Sequence, residues 1–523
     1  MRKLLGIPWT LLATSFALRL FLIFRYRFDS DEPQHLHVAW GWAHGFMQYR
    51  DLFDNHMPVF HLLSAPLFLF ADDDARLLFV ARMAMLPLFA AAIFLVWRIA
   101  GALFDERVAG WSAVLVALCP PFFLGSLEYR ADDLWLVCWL GVIAVLISDL
   151  PRTDKDLAAG MLLGLAFGVS MKSVLFACAL AGAAILTSVL TAYRGAVPIG
   201  QAAKRVARIV GIALILPLGI GAAFALAGAW KPFFYGVFDH NLIRFEHAWR
   251  VLWFIPLYPL IRITALAIAR STADALIVRR RLFVFLACAG YLLLLVAFWP
   301  MASDESYLPF YPLAVVLITP FLLRRPVAVT IACAAAIGAI VIIARPWKDE
   351  ARQEIDTVME VVSMTAANEP VMDLKGESIF RARPSYLVLE AITNAKLRMG
   401  SLRDSIADSL VRSATHVVVD DNLPPRTRRF VDRYYVPWGS VYVAGVRLPQ
   451  LRGDGSAASF TIGVPGPYVV ISERGRVRAM IDGVLVRKAM YLKPGRHTLV
   501  AMRRTSRPLV IWSGALKWPF VRP

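Results

Sequence analysis

Long apolar runs separated by short polar segments make up the first two thirds of the chain. A helix needs roughly 20 apolar residues to cross a bilayer. Runs of about that length lie at 6–24, 77–97, 108–125, 133–148, 157–171, 173–191, 209–228, 251–269, 282–299, 307–323 and 327–344. The pattern predicts a polytopic α-helical membrane protein with about 11 transmembrane helices.

The stretch 57–71 is also apolar, but it is short and contains two prolines, which favours a re-entrant or interfacial helix. Basic residues test this assignment, because Arg and Lys accumulate in cytoplasmic loops. With Met1 inside and 57–71 not crossing, the inside loops contain Arg98 and Arg107; Arg152 and Lys155; Arg194, Lys204, Arg205 and Arg208; Arg270, Arg279, Arg280 and Arg281; and Arg324 and Arg325. The opposite loops mix acidic, basic and aromatic residues, so we expect the chemistry on the extracytoplasmic face.

Hydropathy falls after Pro346, which predicts an extracytoplasmic soluble region. A helix-like run at 401–414 and a strand-like run at 415–421 are typical of a small α/β domain. Short alternating runs follow, with an Asp482-Gly483 turn signal, and indicate a small β-sandwich. The predicted domains are a membrane domain, an α/β domain and a β-sandwich-like module, at 1–345 (with a first outer loop at 25–76), 346–440 and 441–523.

Composition supports this division and excludes several classes. Apolar residues make up 58% of the 523 positions, and the mean hydropathy of +0.59 is too high for a soluble protein of this length. Cytoplasmic anchoring and contact with anionic lipid explain the net charge of +18, so no nucleic-acid partner is predicted. The five cysteines lie in apolar runs without a CxxC pair, which predicts neither a disulfide framework nor a thiolate metal site.

The first outer loop begins with a high density of ionisable groups, in RFDSDEPQHLHVAWGWAHGF at 27–46. Asp31 and Glu32 precede Pro33, a residue suited to the first turn of a helix, and His35 follows on that helix. One interpretation is structural, with Asp31 capping the helix. The other is functional, because adjacent carboxylates at a membrane boundary are costly to desolvate and that cost marks functional sites.

Four more polar clusters fall in loops assigned to the same face. Each has a structural explanation when taken alone, as a salt-bridged helix end or a snorkelling lysine. Their shared face favours a common site. The candidates are Arg130, Asp132 and Asp133 in EYRADD; Lys172 in GVSMKSV; His240, Asn241 and Arg244 in FDHNLIRFEHAW; and Tyr307 in WPMASDESYLPFYP.

The residue types in these clusters indicate a chemistry. Arg and Lys at headgroup level suit a phosphate, because a guanidinium presents forked donors to its oxygens. A carboxylate facing that phosphate is what a general base needs to take a proton from an acceptor hydroxyl. The residues therefore predict a membrane transferase that acts on a lipid-linked phosphate. A divalent metal on Asp31, His35 and His56 is the less favoured alternative, since the histidine spacing matches no metal motif, and no other cofactor is predicted.

In order and spacing, the segments resemble the GT-C glycosyltransferases that use polyprenyl-phosphate sugars, including protein O-mannosyltransferases, lipid A aminoarabinose transferases and lipopolysaccharide-core transferases. The likeness covers residues 1 to 345 and rests on a first span followed by DSDEPQHLHVAWGWAHG, YRDLFDNHMPVFHLL, FDERVAGWSAVLVALCPPF, EYRADDLWLV, GMLLGLAFGVSMKSVL and YLPFYPLAVVL. It implies a GT-C-like fold and inverting transfer of a sugar from a polyprenyl phosphate to a periplasmic acceptor, which is lipid A or lipopolysaccharide, another glycan or a protein. It also implies a bacterial inner membrane, with the N-terminus cytoplasmic and the C-terminal domain periplasmic.

The resemblance implies roles for single residues. Asp31, with Glu32 beside it, matches the general base, and Asp132 matches an assisting acid in the second outer loop. The candidates to bind the donor phosphate are Lys172, Arg244 and Arg130, and those expected to contact donor or acceptor are His35, His56, Asp133, His240, Asn241 and Tyr307. One departure concerns His56, because relatives carry Lys or His before two prolines and this chain has His56-Met57-Pro58.

Two other function classes stay open. A transporter or flippase of lipid-linked sugar also carries polar residues at helix ends, although it should contain related halves and the sequence shows none. A membrane-anchored glycan-binding or assembly protein would need its acids only for structure. The C-terminal module resembles sugar-binding or adhesive β-modules, and it either binds a glycan acceptor or covers the mouth of the active site.

Overall fold

The structure is a computed structural model that describes residues 7–69, 72–191, 199–243, 254–299, 303–420, 422–451, 456–472, 475–505 and 507–518. Its helices are α1 (Ile7–Ile23), α2 (Asp31–Ala43), α3 (Val59–Ser64), α4 (Leu77–Ala84), α5 (Leu86–Leu103), α6 (Glu106–Ala117), α7 (Pro120–Gly125), α8 (Ala131–Ile147), α9 (Arg152–Val169), α10 (Ser173–Leu190), α11 (Ile199–Leu226), α12 (Trp230–Phe234), α13 (Phe254–Ala269), α14 (Ala275–Phe298), α15 (Phe310–Leu322), α16 (Pro326–Ala344), α17 (Glu350–Met364), α18 (Ala391–Arg398), α19 (Ile406–Arg412) and α20 (Pro425–Tyr434). Short 3-10 turns occupy Ala65–Leu69, Asp304–Tyr307 and Ser513–Lys517, and a π turn occupies Tyr235–Asp239.

Within the described ranges, the strands all lie after residue 370. They are β1 (Val371–Met372), β2 (Val417–Val418), β3 (Tyr435–Trp438), β4 (Val441–Arg447), β5 (Ala457–Ile462), β6 (Gly466–Ser472), β7 (Gly475–Arg476), β8 (Ala479–Ile481), β9 (Val484–Leu485), β10 (Met490–Leu492), β11 (Gly495–Ala501) and β12 (Leu509–Trp512).

The polytopic helical fold predicted from the apolar runs is confirmed. Every predicted run overlaps at least one helix. Within the described ranges, five helical stretches are long and apolar enough to cross a membrane, at Leu77–Leu103, Ser173–Leu190, Gly200–Leu226, Ala275–Phe298 and Pro326–Ala344. The stretch 57–71 contains α3 and the turn Ala65–Leu69, which together are shorter than a span.

Two boundaries differ from the predicted ones for local reasons. The run 108–125 is two helices, because α7 begins with Pro120 and Pro121, whose nitrogens cannot donate to a preceding helical turn. The predicted loop with Arg279, Arg280 and Arg281 is instead the beginning of α14. Arginine is a good helix former, and its long side chain carries the charge away from the helix axis.

Contacts divide the chain into two compact units. The first unit is Met1–Phe28, Asn55–Ser64 and Phe79–Ala351, and the second is Asp29–Asp54, Ala65–Leu78 and Arg352–Pro523. In the first unit, α9 packs closely on α11, where a Cβ on Gly164 would lie 2.9 Å from the Ala213 carbonyl oxygen. Small residues at such a helix interface allow the backbones to approach.

The second unit contains two β-sheets. The larger sheet has the order β1-β2-β4-β12-β6-β10, with β3 also paired to β4 and β7 to β6, and the smaller has the order β5-β11-β8-β9. Asp482 and Gly483 both have positive φ, 49° and 81°, at the β8–β9 hairpin turn, as the Asp-Gly signal predicts. Buried apolar side chains from Val361 to Ala515 form one core. The domain boundaries at 345 and 440 stay a prediction.

Candidate active site

The beginning of α8 buries two carboxylates. Arg130 precedes the helix in an extended conformation, so Asp132 and Asp133 fall in the first turn, where the helix dipole favours negative charge. Their exposed fractions are only 4% and 3%. The two side chains have different neighbours, because Asp132 contacts Lys172 whereas Asp133 interacts electrostatically with Arg19.

Lys172 lies at the break between α9 and α10. Ser170 is extended after the last residue of α9, and Lys172 is the residue before Ser173, where α10 begins. The predicted interruption of the apolar block is therefore observed. Its Nζ donates to Asp132 Oδ1 at 2.8 Å and to Ser306 Oγ at 3.5 Å, and it lies 5.3 Å from the centre of the Trp135 ring.

Arg130 lies among three carboxylates. Its nitrogens lie 3.4 Å from Glu128 Oε2, 3.7 Å from Asp132 Oδ2 and 3.4 Å from Glu305 Oε1. The exposed fraction of the Arg130 side chain is 6%. We call Glu128, Arg130, Asp132, Lys172, Glu305 and Ser306 the Asp132 cluster. The cluster concentrates opposite charges where water is scarce, and a buried charge without a partner there would be strongly destabilising.

The other candidates in the first unit lie outside the Asp132 cluster, and two of them, His56 and Tyr307, adjoin it. His56 interacts electrostatically with Asp132. Asn241 donates through Nδ2 to the Asn55 carbonyl at 3.2 Å, so the segment that contains His240 contacts the segment that contains His56. His240 is fully buried, and Tyr307 ends the 3-10 turn that contributes Glu305 and Ser306 to the cluster. Arg244 lies outside the described residues.

Two neighbouring acids at the beginning of α2, in the second unit, have different surroundings. Glu32 is fully buried and accepts a hydrogen bond from the backbone nitrogen of Asp29, just before the helix, at 2.9 Å. The Asp29 carboxylate in turn accepts from the Asp31 nitrogen at 3.0 Å. Asp31 keeps 22% of its side chain exposed and accepts from Lys375 Nζ at 2.6 Å. Glu32 is thus committed to the helix end, whereas Asp31 reaches solvent.

Lys375 was not predicted from the sequence. It belongs to an irregular segment, 373–383, folded around the buried Asp373 carboxylate, which accepts from the Gly376 nitrogen at 2.8 Å and from Arg383 Nε at 2.7 Å. Gly376 has φ +119°, and a Cβ there would lie 2.7 Å from the His37 Cβ. The segment therefore approaches α2 so closely that only glycine fits, and this approach places Lys375 on Asp31.

The predicted residue His35 and its neighbour His37 are both buried in α2. His35 is fully buried, and His37 is 3% exposed. His37 Nδ1 lies 2.8 Å from the Ile379 carbonyl oxygen, and because a carbonyl only accepts, Nδ1 carries the hydrogen. Burial lowers the pKa of His37, although the Asp373 charge partly opposes this, so the ring is neutral at physiological pH. His37 therefore helps to fix the 373–383 segment.

Three titratable groups around Lys375 have shifted pKa values. Burial lowers the pKa of Lys375, but Asp31 and other acids outweigh it and raise the pKa above its usual value. Burial, reinforced by Asp373, raises the pKa of Glu377 to about 8. Burial and Glu32 raise the pKa of Glu354 to about 7. Burial therefore favours the protonated form of both glutamates, whereas the acids near Lys375 favour its charged form.

No group of three or more His, Cys, Asp or Glu residues within the described ranges is arranged to hold a metal ion. The minority metal alternative, Asp31, His35 and His56, is not among such groups. The Asp132 cluster and the Asp31–Lys375 pair supply carboxylates, lysines and an arginine, which are acid–base and electrostatic groups.

Residues 55–220 match the family model described as dolichyl-phosphate-mannose-protein mannosyltransferase. A crystal structure of ArnT from Cupriavidus metallidurans in the apo state is similar to the chain, with a TM-score of 0.61 and 12% identity over 84% of this chain and 98% of that one. The same protein bound to undecaprenyl phosphate gives a TM-score of 0.61 and 11% identity over the same shares.

The oligosaccharyltransferase of Archaeoglobus fulgidus in the apo form gives a TM-score of 0.49 and 11% identity over 93% of this chain and 74% of that one. No curated protein sequence matches the chain significantly. The resemblance to GT-C glycosyltransferases is confirmed at the level of the fold, so the chain is a membrane protein with the GT-C fold.

Proposed function

We propose that this chain, which has the GT-C fold, is an inner-membrane glycosyltransferase that moves a sugar from a polyprenyl phosphate to a periplasmic acceptor. The acceptor class is lipid A or lipopolysaccharide, another glycan or a protein. The observation that carries the proposal is the state of Asp31, a partly exposed carboxylate that a lysine fixes at the beginning of α2, while its fully buried neighbour Glu32 accepts from the Asp29 nitrogen. A carboxylate in that state is suited to proton transfer.

The reaction forms one bond and breaks another. Asp31 takes the proton of the acceptor hydroxyl, whose oxygen attacks the anomeric carbon from the face opposite the phosphate. The bond from that carbon to the phosphate oxygen breaks, and its electron pair leaves with the polyprenyl phosphate. A phosphate leaving group needs little help from an acid when cations neutralise its charge.

The Asp132 cluster is the proposed source of those cations. Arg130 is almost fully buried and Lys172 is mostly buried, and both are held by carboxylates. The donor phosphate is a diester with one negative charge, and the polyprenyl phosphate that leaves gains a second one, so charge-assisted bonds from Lys172 and Arg130 strengthen as the sugar is transferred. Asp132 keeps Lys172 in place. Arg130 gives up its contacts with Glu128 and Glu305 and contacts the donor phosphate instead. The structure of ArnT with undecaprenyl phosphate, a polyprenyl phosphate, supports this donor class by similarity.

The remaining predicted contacts belong to the same proposal. His56 and Tyr307 adjoin the Asp132 cluster through Asp132 and Ser306, and His240, Asn241, Asp133 and His35 are proposed to contact donor or acceptor. The orientation, with loops 25–76 and the region after residue 345 in the periplasm, follows from the distribution of Arg and Lys.

The test compares Asp31→Asn with Asp51→Asn in the full-length protein. Asp51 is in the same loop and loses the same charge, but it is paired with Arg50. The readout is conversion of polyprenyl-phosphate sugar to free polyprenyl phosphate in membranes, measured by mass spectrometry of extracted lipid. We expect Asp31→Asn to lose about 10²- to 10⁴-fold in rate and to co-purify with intact donor, while Asp51→Asn behaves as the wild type.

An active Asp31→Asn protein would contradict the assignment of the base. The readout also separates the alternatives, because a flippase moves the lipid-linked sugar without changing its mass, and a glycan-binding protein releases no polyprenyl phosphate. Intact donor lipid with the wild-type protein would therefore overturn the glycosyltransferase proposal itself.

A further inference from the structure

A cleft lined by arginines lies in the first unit, among the ends of α5, α13 and α15 and the beginnings of α6 and α14. It consists of two cavities of about 520 and 630 Å³ that share Phe104, Arg281, Pro320 and Arg324 in their walls. Arg107 lines the smaller cavity and Arg270 the larger one. Four arginines, two in the helices α6 and α14 and two in the turns after α13 and α15, therefore line these adjoining cavities.

Arg281 is fixed in this cleft by the protein. Its Nε donates to the Leu103 carbonyl at 2.8 Å, its Nη1 donates to Ser271 Oγ at 3.1 Å, and the guanidinium lies 4.5 Å from the centre of the Phe104 ring. Its Nη2 donates to no protein atom among the described residues. The arrangement presents a preorganised pair of N–H donors to a ligand, since the rest of the side chain is already held.

The charge of the cleft is not balanced by the protein. Across the described ranges, none of the four arginines forms a salt bridge, whereas the adjacent Arg280 pairs with Asp149. The one acid in the walls, Asp105, accepts from the Val108 nitrogen at 2.8 Å as the cap of α6. The space between α5 and α15 thus has the charge and the donors to attract an anion.

An apolar groove continues from the cleft. Thr264 and Leu317 line both the larger cavity and a narrow space of about 60 Å³ between α13, α14 and α15. The walls of that space are apolar, with Leu260, Phe285 and Leu292 among them. An amphipathic ligand therefore finds cations at one end and hydrocarbon at the other.

The cleft is separate from the Asp132 cluster. Ser306, which contacts Lys172, precedes the first residue of α15, and Arg324 follows its last one. With 13 residues and a rise of about 1.5 Å per residue, α15 separates the two by about 20 Å.

We propose that this cleft binds one anionic phospholipid, with the phosphate on Arg270, Arg281 and Arg324 and an acyl chain in the apolar groove. A membrane protein is surrounded by such lipids, and the unbalanced positive charge selects an anionic headgroup over a zwitterionic one. General electrostatic anchoring would need neither a fixed guanidinium nor a groove that joins it. The proposal depends on the fold alone and stands apart from the proposed glycosyl transfer.

The test uses the purified full-length protein in detergent, titrated with dioleoylphosphatidylglycerol or dioleoylphosphatidylcholine and followed by native mass spectrometry. Arg270→Gln/Arg324→Gln is compared with Arg279→Gln/Arg325→Gln, which removes the same charge from nearly the same positions outside the cleft. We expect the wild type and the control to bind one phosphatidylglycerol more tightly than phosphatidylcholine, and the first variant to lose about tenfold in affinity for it.

Equal losses in the two double variants would overturn the proposal, because charge alone would then decide binding. So would equal affinity of the wild type for the two lipids, a comparison that needs no variant and no assumption about folding. Dihexanoylphosphatidylglycerol tests the groove in the same way. If this short-chain lipid binds as tightly as the dioleoyl form, the acyl-chain part of the proposal is wrong.

Discussion

Two aspartate–lysine pairs, one in each compact unit, have nearly the same contact distance and different surroundings. Lys172 lies 2.8 Å from Asp132, with 14% and 5% of their side chains exposed, and Arg130 shares the carboxylate. Lys375 lies 2.6 Å from Asp31, with 17% and 22% exposed. The buried, shared pair suits a fixed charge distribution, whereas the pair that reaches solvent suits a group that gains and loses a proton. Contact distance alone does not distinguish the two roles.

The largest expected effect is on stability, and it tests most directly whether the two aspartate–lysine pairs differ. Lys172→Met leaves the Asp132 carboxylate buried with only the longer Arg130 contact, which we expect to cost about 3–5 kcal/mol. Lys375→Met removes a partner that water replaces, at a cost of about 1 kcal/mol or less. Thermal unfolding of the full-length proteins in detergent measures both.

Lys172→Arg is the control for this prediction, because it keeps the charge and should retain most of the stability. Equal losses of unfolding temperature for Lys172→Met and Lys375→Met would show that the two pairs are energetically alike. The distinction drawn from their burial would then be wrong.

The sequence indicated both residues of the Asp132–Lys172 pair as candidates, although not as partners, and only Asp31 of the other pair. Asp132 lies at the beginning of an apolar run and Lys172 interrupts an apolar block, and the cost of desolvating a charge there is visible in the pattern. Lys375 lies in a soluble region with many Lys and Arg residues, where a charge costs nothing, and it is 344 residues from Asp31. Its position depends on a chain reversal around Asp373 and on a positive φ at Gly376. Neither feature produces a helical or strand periodicity in the sequence.

The helices show the same difference between features that hydropathy predicts and features that depend on local structure. The apolar runs predicted the overlap of every span with a helix, because burial in lipid leaves few alternatives to a helix. Where the run 108–125 breaks, the cause is a local pair of prolines that hydropathy does not weigh. For Asp31 and Glu32, the resemblance favoured Asp31 as the base, and the structure adds a reason to prefer it, since Glu32 is fully buried and accepts from the Asp29 nitrogen.

The second prediction concerns activity and tests whether Lys375 positions Asp31 in the partly exposed pair. Lys375→Met should lower kcat for release of polyprenyl phosphate about 10- to 100-fold with little change in KM, because misplacing a base by about 1 Å costs that much. Lys375→Arg should restore most of the rate. The control Lys488→Met removes an exposed lysine of the same unit. A loss that appears only in KM, or no rescue by arginine, would show that Lys375 does not position Asp31.

The smallest expected effect is a dependence of stability on pH contributed by Glu377, which lies beside the partly exposed Asp31–Lys375 pair. Glu377, two residues from Lys375, has a pKa raised by burial from 4.5 to about 8. The folded protein therefore keeps this proton up to about pH 8, while the unfolded chain releases it near 4.5, so stability falls as the pH rises between these values. From about pH 7.5 to about pH 9 the fall should be about 1 kcal/mol or less.

Glu377→Gln removes this proton exchange and should flatten the dependence of the unfolding temperature on pH. Glu106→Gln, at an exposed position of α6, should leave the wild-type slope in place. The expected difference is specific to the surroundings of Lys375, because the Lys375 and Gly376 nitrogens donate to the Glu377 carboxylate at 2.7 and 3.2 Å. Identical slopes for Glu377→Gln and the wild type would mean that this carboxyl is hydrated, and that the segment holding Lys375 is more open than its hydrogen bonds indicate.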